Sequence, residues 1–200
     1  MAAPRDWHDR IAKLHALFAR PTPVGTLHLP TGRIVVGEPT DPLPPLLLAR
    51  PAPIGEFSVE LGLVEVAPGE SRIAAARIVF SAAPVASWEL ATGPGSGWTP
   101  SAAGLPGYAS PMGMFMDEHI VPLFQKYVDE ADSPVEWWYD VPKQEGRIWE
   151  CACFQPDEQT PYTCAYMGPV ISEGALVSYW GLDAGGAPVA LVTDFDLPPI

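Results

Sequence analysis

The hydrophobic pattern changes period along this chain. Between Asp6 and Ala19, apolar Trp7, Ile11, Leu14 and Phe18 recur at helical spacing and fall on one face. Pro4 and Asp6 suit the start of such a helix, and Pro21 and Pro23 stop it. The period then drops to two. In "GTLHL", Leu27 and Leu29 alternate with Thr26 and His28, as a half-buried strand requires. A turn signal, Pro30-Thr31-Gly32, separates this run from a second one, "GRIVVGE". The next stretch, "DPLPPLLLARPAP", has too many prolines for a helix interior or a central strand, and is expected to wrap as a loop that packs its leucines.

The strongest β pattern is "GEFSVELGLVEVAPGESRIAAARIVFS". Phe57, Val59 and Leu61 alternate with Glu56, Ser58 and Glu60. Pro68-Gly69-Glu70 then turns the chain, which predicts two antiparallel strands joined there. "VASWELAT" is a candidate third strand. From Gly93 to Gly113 the chain is rich in Gly, Pro and Ser with little periodicity, and a long surface loop is expected. A helix is predicted from Asp117 to Ala131, with Ile120, Leu123, Phe124, Tyr127 and Val128 as its apolar stripe. Pro122 must then lie in the first turn, where a missing N–H costs little. "VEWWYD" and "GRIWECACF" read as strands. "SEGALVSYWGLDAGGAPVALVTDF" reads as a closing hairpin with Gly185 and Gly186 in its turn. Tyr179, Leu182, Val189, Leu191 and Phe195 are its expected core residues.

These elements predict an α+β fold, mainly antiparallel β-sheet, with an N-terminal helix and one central helix. A single domain is expected over 1–200. It comprises the helix at 1–20, a β-rich half at 24–92, the Gly/Pro loop at 93–113, and an acidic helix plus β half at 114–200.

Charge sharpens this picture. The 200 residues carry a net charge of −13, unevenly placed. From Met1 to Arg77 there are eight acids and eight bases, whereas from Ile78 to Ile200 there are sixteen acids and three bases. Such a balance disfavours nucleic acid and anionic membrane and attracts a basic partner. No apolar run approaches the roughly 18 residues of a membrane span, and the charged N-terminus lacks the apolar core of a signal peptide, so the cytoplasm is the expected compartment. Cys151, Cys153 and Cys164 are an odd set in one region, which fits reduced, partly buried thiols better than a disulfide framework.

Three stretches carry a resemblance. "IGEFSVEL" (Ile54 to Leu61), "GMFMD" (Gly113 to Asp117) and the closing hairpin (Glu173 to Phe195) occur in the order found in DUF4241, a bacterial family of unknown function, and the chain resembles that family. Two positions depart from the family pattern. Ala109 or Ser110 stands where the pattern has an aspartate before the "FMD" element, and Ser172-Glu173-Gly174 stands for a Gly-Asp-Gly turn. The resemblance implies a fold and no particular reaction.

Two functional readings follow from the residues themselves. Asp117, Glu173, Asp183 and Asp194 could converge as a carboxylate site for acid–base work or a divalent metal, making a hydrolase or metal-dependent enzyme. Against this, Asp183 lies in "LDAGG", where an acid shapes a turn, and Asp194 and Asp196 flank Phe195 near a terminus, where acids are usually solvated. His8, His15, His28 and His119 have no metal-ligand spacing, so no metal or other cofactor is expected. Nor does the chain hold a dinucleotide or phosphate-binding glycine motif. The second reading starts from Asp129, Glu130, Asp132, Glu136 and Asp140, which surround Trp137, Trp138 and Tyr139. Aromatic anchors rimmed by acids suit a basic protein partner, although tryptophans in a β-rich domain are more often core. The leading expectation is therefore a non-enzymatic acidic binding protein, in the form of an immunity or antitoxin protein that neutralises a basic toxin domain.

Overall fold

A computed structural model describes residues 7–37, 46–93, 113–131, 150–168 and 177–195. The chain forms helix α1 (Trp7–Leu17), then β1 (Thr22–Leu29), β2 (Ile34–Gly37), β3 (Leu46–Leu47), β4 (Gly55–Ala67), β5 (Glu70–Val79), β6 (Ser87–Leu90) and β7 (Gly113–Asp117). A 3₁₀ turn (Glu118–Ile120) leads into helix α2 (Val121–Glu130). After it come β8 (Glu150–Phe154), β9 (Cys164–Gly168), β10 (Val177–Leu182) and β11 (Pro188–Asp194). The fold is α+β. Six strands pair in the order β1-β4-β5-β11-β10-β6 and five in the order β3-β2-β7-β9-β8, every pair antiparallel.

Period-two alternation sorts the side chains into four layers. Leu27, Leu29, Phe57, Val59, Leu61, Ile78, Trp180 and Leu191 of the six-stranded sheet meet Ile34, Phe115, Cys151, Ala165 and Met167 of the five-stranded sheet in the central core. Alternate residues face outward. Ala75, Tyr179 and Val192 pack under Ile11, Leu14 and Phe18 of α1. Val35, Met114, Met116, Cys164 and Tyr166 pack under Ile120 and Phe124 at α2. The middle of the six-stranded sheet is thus covered on both faces, and this explains β10 and β11. Their buried residues run almost without interruption, because a strand buried on both sides has no solvent face to fill with polar residues. Tyr179, Leu182, Val189, Leu191 and Phe195 are all buried as expected. Burying each such side chain contributes on the order of 1.5–3 kcal/mol.

Several elements match the sequence closely. β4 and β5 pair as a hairpin whose turn holds Gly69 in a left-handed conformation, φ 79°. In α2, Pro122 lies in the first turn, where no intrahelical donor is lost. Other placements differ. Pro30-Thr31-Gly32 acts as a corner, sending β1 and β2 into different sheets. The proline-rich stretch contributes a two-residue edge strand, β3, before the buried Leu48. The candidate third strand, β6, lies beyond β10 at the sheet edge. Most of the Gly93–Gly113 stretch, and all of "VEWWYD", lie outside the described residues.

The sandwich closes along both sides. On one, Gly25 of β1 approaches β8 so tightly that a side-chain carbon there would come 2.8 Å from Cβ of Cys153. Thr163 braces the same side, accepting from His28 N at 3.0 Å and donating to the Thr26 carbonyl at 2.8 Å. On the other side, residues 48–52 run between the sheets. Leu48 N donates to the Ile34 carbonyl and Ala52 N to that of Gly32, while Ala49 N donates to the Thr92 carbonyl next to β6.

Candidate functional site

Asp117 ends β7 and is fully buried. The pairing of Ile34 with Asp117 brings the corner before β2 against this carboxylate. Its Oδ1 accepts from Thr31 Oγ1 at 2.7 Å and His119 N at 2.9 Å; its Oδ2 accepts from Thr31 N and Gly32 N, both at 3.0 Å. A carboxylate offers about four lone-pair sites, and here four donors fill them. The His119 bond caps the 3₁₀ turn that leads into α2. Gly32 is required at this corner: its φ is 72°, and a β-carbon would collide with the Ala52 carbonyl oxygen.

Asp194 is 4% exposed, not solvated as its place near the chain end suggested. It points outward from β11 beneath α1, where Arg10 grips it through both Nε and Nη2, the latter 2.9 Å from Oδ1. This paired fork is the strongest common geometry for a carboxylate–guanidinium contact. The neighbouring Tyr179 hydroxyl has its pKa pushed up to about 12, by burial first and by the Asp194 charge second, with Arg10 opposing.

Asp183 shapes the closing turn. Its Oδ1 accepts from Gly185 N at 2.8 Å and Ala187 N at 2.9 Å, and its carbonyl from Gly186 N at 3.0 Å. Val177 pairs with Asp194, whereas Asp183 follows Leu182 at the far end of β10. At about 3.4 Å per residue, some 17–20 Å of strand separates these two acids. Asp117 belongs to the other sheet. The structure therefore does not bring these three together, and Glu173 and Asp196 lie outside the described residues. Among the described residues no group of three or more His, Cys, Asp or Glu side chains is placed to hold a metal ion.

The other candidate groups are likewise dispersed. Cys151 and Cys153 both face the central core, while Cys164 packs on the α2 side, and all three are thiols outside any disulfide. Burial, with a smaller contribution from Cys151, pushes the Cys153 pKa up to about 12, and burial also raises that of Cys164. Thiols held protonated in this way are poor nucleophiles and metal ligands at neutral pH. His15 lies against Trp88 with ring centres 6.3 Å apart, His28 lies 3.2 Å from Glu56, and His119 meets Tyr162 edge-on at 5.5 Å.

Of the residues read as a partner surface, Asp129 and Glu130 are exposed on the last turn of α2. Gln125 donates to Asp129 at 3.0 Å, and Lys126 lies 3.9 Å from Glu130. Asp132, Glu136, Trp137, Trp138, Tyr139 and Asp140 lie outside the described residues. Sequence reasoning missed the loop between β8 and β9, which abuts α2. Tyr127 of α2 packs on Phe154 at 5.4 Å, and Tyr162 meets His119. The loop carries Asp157 and the exposed Glu158 and is tied internally by Gln155 Nε2 to the Thr160 carbonyl at 2.9 Å. Its Pro, Asp and Thr content was a turn signal in plain view.

The charge imbalance along the sequence is partly undone in space. Arg10, Arg33 and Arg50, from the balanced first part, pair with Asp194, Glu118 and Glu89 from the acidic second part. Asp129, Glu130 and Glu158 are among the exposed acids.

The family model described as "Protein of unknown function (DUF4241)" matches residues 27–193. The chain belongs to the DUF4241 family. Comparisons with curated proteins and with solved structures returned no match. Within this DUF4241 protein, Gly55 to Leu61 of the first motif form the part of β4 that pairs with β1, and "GMFMD" is β7, ending in the capping Asp117. The two departures from the family pattern lie outside the described residues. Among the described residues, no helix is long and apolar enough to cross a membrane.

Proposed function

We propose that this DUF4241 protein is an acidic binding protein that engages a basic protein partner through the α2 side of the molecule. An immunity or antitoxin protein covering a basic toxin domain is one biological form of this reading. The observation that carries it is the division of labour among the acids. Asp117, Asp183 and Asp194 are occupied by local backbone donors or by Arg10. Asp129 and Glu130 remain accessible on the last turn of α2, which also carries the half-buried Tyr127, and Glu158 is exposed on the β8–β9 loop. Aromatic surface supplies contact area, and exposed acids steer a basic partner.

The test is kinetic. Association with a co-purified basic partner should slow as salt rises, because screening shortens the field to about 8 Å at physiological ionic strength. Asp129→Lys combined with Glu130→Lys should lower the association rate and leave the thermal midpoint nearly unchanged, since both side chains are exposed. An association rate indifferent both to salt and to these two reversals would overturn the proposal.

A further inference from the structure

His28 sits where three elements meet, on the side of the sandwich that Thr163 braces. It is the cross-strand partner of Glu56, so β1 and β4 present these two side chains on one face. Its Nε2 lies 3.2 Å from Glu56 Oε1, and its Nδ1 lies 3.2 Å from Thr163 Oγ1. Thr163 immediately precedes β9, a strand of the other sheet. The chain Glu56–His28–Thr163 therefore crosses from one sheet to the other.

The hydroxyl decides where the imidazole hydrogens go. Thr163 Oγ1 has one proton to give and two lone pairs to offer. The Thr26 carbonyl, 2.8 Å away, can only accept, so it takes the proton. The His28 backbone N–H, 3.0 Å away, can only donate, so it fills one lone pair. The second lone pair faces Nδ1, which must then carry a hydrogen. A neutral imidazole has one N–H. With that hydrogen on Nδ1, a bare Nε2 meets the Glu56 carboxylate, lone pair against lone pair. Moving it to Nε2 satisfies Glu56 but leaves Nδ1 facing a hydroxyl with no proton left to give. The doubly protonated ring alone donates in both directions. Around the ring, β4 contributes Glu56, whose only ion-pair partner among the described residues is His28. The β8–β9 loop contributes the uncharged Thr163. Further along β1, β8 contributes the Cys153 thiol opposite Gly25, kept protonated by burial.

We propose that His28 is a pH-sensitive latch between the two sheets: doubly protonated, it bridges Glu56 and Thr163, and on losing one proton it gives up one arm of the bridge. Histidine changes charge between about pH 5 and 8. What the latch holds is the β8–β9 loop, whose Tyr162 rests on His119 in the 3₁₀ turn before α2. It is a property of the fold and stands whether or not the α2 side binds a partner.

The test uses the full chain, with imidazole nitrogen NMR and amide exchange of His28 N–H at about pH 5.5 and about pH 8.5, on either side of the histidine range. Exchange is corrected for the intrinsic rate at each pH. Both ring nitrogens of His28 should carry hydrogen at the lower pH and one at the higher. Protection of His28 N–H, which rests on Thr163 Oγ1, should fall about two- to fivefold on going to the higher pH, the range that an ion pair with an exposed partner supports. Glu56→Gln alters a side chain that is 68% exposed, so the variant folds. It should remove most of that fall and leave the His119 spectrum unchanged. A fall of the same size in Glu56→Gln, or a His28 ring with one hydrogen at the lower pH, overturns the inference.

Discussion

Asp117 and Asp194 are both buried carboxylates at the ends of strands, one in each sheet, yet they are satisfied by opposite means. Three of the four donors to Asp117 are backbone N–H groups from a corner and a helical turn. Asp194 is gripped by a guanidinium 184 residues away in the sequence. The first acid fixes local geometry, holding the corner between β1 and β2 against the start of α2. The second fixes long-range geometry, fastening the first helix to the last strand. The contrast shows why residue type alone misleads. Two aspartates that look equally available for chemistry serve as two different kinds of structural joint.

The largest effect should come from Asp117. Asp117→Ala leaves the buried Gly32 N and the part-buried Thr31 N, Thr31 hydroxyl and His119 N without their acceptor. A loss of about 3 kcal/mol or more is expected in urea denaturation, because each orphaned donor carries its own desolvation penalty. No second substitution can compensate, since backbone donors cannot be mutated away. Asp194 should behave differently. Arg10→Leu alone takes the guanidinium away from a buried carboxylate and should cost about 2–4 kcal/mol. Arg10→Leu with Asp194→Leu removes both charges and should recover most of that loss, as apolar replacements of buried ion pairs commonly do. A double variant as damaged as the two single variants added together would show that the two joints do not differ in kind.

The joints also mark where sequence reasoning reaches and where it stops. The β4–β5 hairpin and the closing hairpin were legible because turn residues and alternation are local signals. So was α2, through its apolar stripe and the position of Pro122. The placement of β6 beside β10 was not legible, because strand pairing across such a distance leaves no local mark. Burial of Asp194 was hidden for the same reason: nothing near it in sequence announces Arg10. The Asp117 joint was half legible. Its corner read as a turn and its strand as a family motif, but only the register between β2 and β7 joins them. The α2 side was read through Asp129 and Glu130, while the adjoining β8–β9 loop was passed over because its turn residues say nothing of the packing of Phe154 and Tyr162 against α2 and its 3₁₀ turn.

Two buried groups, Tyr179 near Asp194 and Cys153 facing the central core, offer a pH test of intermediate size. Tyr179 and Cys153 both ionise near 12 in the folded protein, above their ordinary values of 10.0 and 9.0. The unfolded chain therefore releases these protons first as pH rises. Their contribution to stability is complete below about pH 9 and is lost progressively from there toward about pH 12. Urea midpoints measured across this range should fall steadily. The Tyr179 component reports first on burial and then on the Asp194 joint, since burial and the Asp194 charge raise that pKa and Arg10 lowers it. A midpoint that holds constant to about pH 11 would mean that neither group is buried as described.

Asp183 should give the smallest effect, and it extends the comparison to a third kind of acid. Its carboxylate serves Gly185 N and Ala187 N at a hairpin tip where residues 184–187 are exposed. Once the carboxylate is gone, water can reach those donors, so Asp183→Ala should cost only about 1 kcal/mol. Asp183→Asn should cost less still, because an asparagine side chain makes the same turn bonds through its carbonyl oxygen. The ranking Asp117, then Asp194, then Asp183 follows from how completely each site excludes water. It is checked by melting the three alanine variants side by side. A variant at Asp183 that keeps its stability but loses partner binding or any catalytic activity would reassign this acid from the turn to a functional site. A loss at Asp183 as large as that at Asp117 would mean that water cannot replace the carboxylate at the hairpin tip.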